Sequence, residues 1–212
     1  MYALRDRMKP PRHRQKIFLG RLIEQIASSF FAKPPLHLNV VRDTVRLTMD
    51  GKLIFECPLS TLGVESSQRL QFEIPAFLIC LLLDILLSDT DGLRPGFDGE
   101  LVARVVVQGL KDAAITARQP PQTGERLFAR YALHVEAVRT STAPKEMRAS
   151  AVFAAHLVSS DSRFRGLAAP QAESRFAAVL KIGTTLHAFA EANIRSLARD
   201  FDITPFQFHG RA

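Results

Sequence analysis

Asp84 is the residue most out of keeping with its neighbours. From Ile74 to Leu87 every other side chain is apolar. A carboxyl in such surroundings must be protonated, paired with a cation, or turned to water. A raised pKa would suit a general acid or base. An apolar pocket beside Asp84 would then suit an enzyme acting on a small molecule or an acyl group. The plainer reading is that the segment has one thin exposed line and Asp84 lies on it.

Other candidate chemistry is weaker. The run Asp89-Thr-Asp91 through Glu100 puts acids at the first, third and twelfth positions of a calcium loop. Leu93 and Arg94 occupy the fifth and sixth positions, where a ligand and a glycine are needed, so that pattern fails. His13, His37, His134, His156, His187 and His209 show no linear metal-ligand spacing. Read as a hairpin turning near Ala143, the chain pairs His134 with Val152 and His156 with Arg130, leaving the two histidines apart on a solvated sheet face. Cys57 and Cys80 read as core thiols in a reducing, cytoplasmic setting. No Gly-x-Ser-x-Gly, Walker or dinucleotide-binding motif occurs. Neither a metal nor a cofactor is expected from this pattern.

Charge is the most informative functional feature. Residues 1–22 hold Arg5, Arg7, Lys9, Arg12, Arg14, Lys16 and Arg21 against Asp6 alone, and so carry +6 of the net +7. Clustered cations neutralise phosphates and release counterions, which gives tight, salt-sensitive, sequence-tolerant binding. The expected function is therefore non-enzymatic binding of nucleic acid, or an accessory role in a protein assembly, through these seven residues. A peripheral role on an anionic membrane surface is the alternative partner reading.

The elements that would position these residues follow from periodicity. Residues 1–14, broken by Pro10-Pro11, read as a basic arm, and residues 15–212 as one α+β domain. Gln15 to Phe31 should form an amphipathic helix, with Leu19, Leu22, Ile23, Ile26 and Phe30 as its stripe. Strands are expected over Leu36–Val40, Thr44–Met49 and Lys52–Phe55, with Asp50-Gly51 as the hairpin turn. The Ile74–Leu87 stretch is apolar all round and too short to span a bilayer, so it should be a core helix, with Pro75 in its first turn.

Beyond it, Leu101–Leu110 reads as a buried strand. Leu127–Arg139 and Met147–Val158 read as alternating strands of a hairpin. Gln171–Phe201 reads as a long C-terminal helix in which Gly183 marks a kink or a close contact. The resulting expectation is an antiparallel sheet of about five to seven strands packed around the buried apolar helix. A helix gripped by strands in this way is similar in architecture to several acyl-thioester-binding folds.

Overall fold

The computed structural model describes residues 15–29, 36–49, 52–62, 64–89, 92–93, 98–159 and 169–204. The coarse α+β class holds, but helices dominate. Strand β1 (Gln15–Phe18) leads directly into helix α1 (Leu19–Ser29). Strands β2 (Leu36–Val41), β3 (Thr44–Met49) and β4 (Lys52–Pro58) form an antiparallel meander in that order. Short α2 (Leu59–Leu62) precedes α3 (Val64–Leu87), and β5 (Ser88–Asp89) and β6 (Gly92–Leu93) make a minimal antiparallel pair. Then come α4 (Gly99–Thr116), α5 (Pro121–Thr140), α6 (Lys145–Ser159), α7 (Ala169–Asp200) and β7 (Phe201–Thr204).

Helix α3 is the centre. Every residue from Glu73 to Leu83 is buried, and α1, α2, α5, α6 and α7 all contact it. The stretch read as a core helix is therefore one, but its surroundings are helical. The helix also begins at Val64, which places Pro75 in its interior rather than its first turn. Among the described residues no helix is long and apolar enough to cross a membrane.

Three segments read as strands are helices: Leu101–Leu110 lies in α4, Leu127–Arg139 in α5 and Met147–Val158 in α6. The physical reason is visible in α5. Gly124, Leu127, Tyr131 and His134 are all buried, a spacing of three and four residues that fits one helix face. Leu133 and Val135, which completed the apparent alternation, are 52% and 39% exposed. In α4, buried Val102, Val106, Leu110 and Ala113 follow the same rule. Asp98 caps α4 by accepting a 2.6 Å hydrogen bond from the Leu101 amide. Pro120-Pro121 starts α5, where a missing N–H costs nothing.

The β expectations near the N-terminus hold better. In β3 and β4, Val45 faces Cys57, Leu47 faces Phe55 and Arg46 faces Glu56. Val45, Leu47 and Phe55 are buried, while Arg46 pairs with Glu56 on the solvated side. The sheet meets the helical layer through contacts of β4 with α2 and α7. The Asp50-Gly51 turn lies outside the described residues. The N-terminal helix starts at Leu19, not Gln15, because residues 15–18 instead pair in parallel with Phe201–Thr204.

Glycines set two of the helix crossings. A Cβ at Gly109 of α4 would stand 2.9 Å from the Gly20 carbonyl oxygen of α1. At Gly183 of α7 it would stand 3.0 Å from the Ser150 carbonyl oxygen of α6. Of the two roles expected for Gly183, the structure shows the close contact.

Candidate metal centre

Of the residues singled out by charge, only Lys16 and Arg21 fall among the described residues. Arg5, Arg7, Lys9, Arg12 and Arg14 lie outside them. Lys16 is exposed on β1. Arg21 is exposed on α1 but forms a 2.9 Å ion pair with Glu24. It borders an open cleft of about 590 Å³ between α1 and α4, with Phe18, Glu24, Gln108 and Asp112 among the other walls. Leu19, Leu22 and Ile23, on the apolar stripe expected of α1, are buried in the core. Asp84 is exposed near the end of α3, in keeping with the plainer of its two readings.

The unusual acid is Glu73. Its side chain has no exposed surface, although it sits in the most apolar helix of the chain. It is also the first residue of the Glu73–Leu83 buried run, one turn before Phe77, so the face that packs Phe77 into the core carries the carboxylate inward. Helix α5 meets this face with Arg130 and His134, four residues apart and thus adjacent on one side of the helix. Helix α6 contributes His156. The expectation that His134 and His156 lie apart on a solvated sheet face is overturned, since His134 is fully buried and the two ring centroids are 4.5 Å apart. Once α5 and α6 are helices packed side by side, 22 residues of sequence separation become direct contact.

The geometry is compact. His134 Nε2 lies 2.9 Å from Glu73 Oε2, and His156 Nδ1 lies 4.0 Å from the same oxygen. Arg130 Nε stands 3.3 Å from Glu73 Oε1, an ion-pair contact outside hydrogen-bonding geometry. The Phe77 and Phe153 rings, with centroids 4.8 Å apart, wall the cluster on the core side, and His134 lies within 6.5 Å of both. Two fully buried atoms, Glu73 Oε1 and His134 Nδ1, receive no hydrogen bond among the described residues. Such atoms are rare in folded proteins, and each calls for an explanation.

The electrostatics of Glu73 and His156 suits ligation. Burial pushes the Glu73 carboxyl up, but the hydrogen bond and charge of His134, with the charges of Arg130 and His156, outweigh it and hold the group below its ordinary range. His156 is pushed down, first by burial and then by the charge of His134, with Arg130 adding to it and Glu73 opposing it. An ionised carboxylate and a neutral imidazole are the forms that bind metals. Atoms held about 2.0–2.2 Å from one ion stand roughly 3–4.4 Å apart. The carboxylate oxygen and two imidazole nitrogens here all lie within 4.8 Å of one another, so small shifts bring them to those separations.

The thiols offer no competing chemistry. Burial, reinforced by Glu56, pushes Cys57 up to about 11. Burial, reinforced by Asp84, pushes Cys80 up to about 12. Neither is a ready thiolate near neutral pH.

The missed residues had one sequence signal. His134 stands on the Gly124–Leu127–Tyr131 stripe, at a place where a helix facing the core takes an apolar residue. Glu73 and His134 are separated by 61 residues, so no linear motif could join them. Comparison with models of known protein families, with curated proteins and with solved structures finds no match to this chain.

Proposed function

We propose that this protein binds a divalent first-row transition-metal ion through Glu73, His134 and His156. The observation that carries the reading is the convergence of one carboxylate and two imidazoles, from three different helices, inside a helical core. Imidazole with carboxylate and no thiolate favours zinc, iron, cobalt, nickel or copper over calcium and magnesium. Three protein ligands leave coordination positions for water or a small ligand, which is the arrangement of reactive rather than purely structural centres.

Chelator-treated protein should take up one equivalent of zinc or cobalt(II) by calorimetry and elemental analysis. At a free ion concentration a hundredfold above Kd, the metal should add about 2.7 kcal/mol of stability. Uptake that persists in the combined Glu73→Ala, His134→Ala variant would reject the assignment.

A second reading concerns the basic N-terminal segment, where Lys16 and Arg21 face solvent. It makes this segment the contact for a nucleic acid. Removing residues 1–14, or neutralising Arg5, Arg7, Arg12 and Arg14 together, should abolish binding that wild type loses steeply with salt. Affinity that survives the truncation rules this out.

A further inference from the structure

We infer that the open position of this centre takes a small carboxylate anion, held between the metal ion and the guanidinium of Arg130. The inference rests on the metal reading above and extends it to a ligand class. Its first support is access. Glu73 and His134 have no exposed side-chain surface, whereas Arg130 is 32% and His156 20% exposed. A ligand arriving from solvent therefore meets Arg130 and His156 first, with the buried pair behind them.

The second support is charge. Without a metal, the Glu73 carboxylate and the Arg130 guanidinium balance each other. A divalent ion bound by Glu73 and two neutral imidazoles leaves an excess positive charge beside Arg130, in surroundings walled by Phe77 and Phe153. Uncompensated charge in such surroundings is costly, so an anion entering with or after the ion is favoured.

The third support is shape. Arg130 turns Nε toward Glu73 Oε1, and its terminal nitrogens carry no other ion pair among the described residues. A guanidinium fork matches the planar carboxylate group, whereas a spherical halide can use only its charge. A carboxylate can give one oxygen to the ion and the other to the fork.

The full chain loaded with cobalt(II) tests this. Acetate and chloride are titrated separately at constant ionic strength while the visible ligand-field absorption is followed. Wild type should respond to acetate at concentrations about tenfold or more below chloride, the size of one charge-assisted hydrogen bond. Arg130→Gln should bind cobalt more tightly, because a cation has left the ion's side, yet lose acetate affinity about tenfold or more. Arg130→Lys keeps the charge without the fork, and should lose the preference for acetate over chloride. A merely structural arginine would instead weaken metal and acetate binding together in both variants, and that result overturns the inference. An acetate response equal to that of chloride, or unchanged in both variants, also overturns it and leaves the metal centre standing. Absence of any cobalt spectrum in wild type is a separate failure, of the metal reading itself, and removes the carboxylate with it.

Discussion

A Glu73→Gln chain should lose divalent-metal affinity by at least about a hundredfold, the upper end of what even indirect supports of a metal site contribute. Glutamine keeps the shape of the side chain and removes its charge, so the loss reports ligation rather than packing. The same substitution changes the acid response of the metal-free protein in a defined direction. Glu73 and His156 both hold protons less readily in the folded state than their ordinary values imply. Their contributions to stability are therefore present above those values and lost as pH falls. The His156 contribution starts to fade below 6.5 and that of Glu73 below 4.5. Urea midpoints measured across this range should show Glu73→Gln without the lower limb and with the upper one retained. Undiminished zinc uptake by Glu73→Gln would mean that the carboxylate is no ligand and that the cluster is an internal ion pair.

Phe77→Ala should be the most damaging single truncation near the site, at about 3–5 kcal/mol. Phe77 has no exposed surface and packs on Phe153, so its removal opens a cavity where α3 meets α6. That cost is a large share of the roughly 5–15 kcal/mol that holds an ordinary domain together. Since Phe77 follows Glu73 by one helical turn, the cavity also loosens the carboxylate and the His134 ring beside it. Metal affinity should fall with stability in Phe77→Ala, whereas Phe77→Leu should retain most of both. Chemical denaturation and cobalt titration of the two variants give the comparison. A stable Phe77→Ala protein with unchanged metal uptake would show that this wall does not support the centre.

How much of this was legible beforehand differs by element. The Ile74–Leu87 core helix and the C-terminal helix read correctly because each carries a long, unambiguous pattern. The β3–β4 pair read correctly because Val45, Leu47 and Phe55 alternate with Arg46 and Glu56 over a short span. Segments α4, α5 and α6 were misread, for two different reasons. Leu101–Leu110 is a short apolar run, and such runs fit a buried strand and a buried helix about equally. In α5, exposed Leu133 and Val135 happened to complete a period of two. Helical propensity in that segment is not decisive, and packing against α3 and α4 settles it.

The candidate centre is hidden in the sequence for a related reason. Asp84, deep within an apolar run, stands out from its neighbours, and Glu73, at the edge of that run, does not. A helix end facing solvent makes the first acid buried-looking only in sequence, and a helix extending back to Val64 makes the second one buried in fact. The order of residues alone was enough to decide that a central apolar helix exists, that an amphipathic helix precedes the meander, and where the positive charge collects. These properties belong to single segments, and each segment's own composition fixes them. Which helices surround that core, and the meeting of Glu73 with His134 and His156, arose only when α3, α5 and α6 packed together. Contacts between residues 61 positions apart are set by interhelical packing, and no local stretch of chain encodes them.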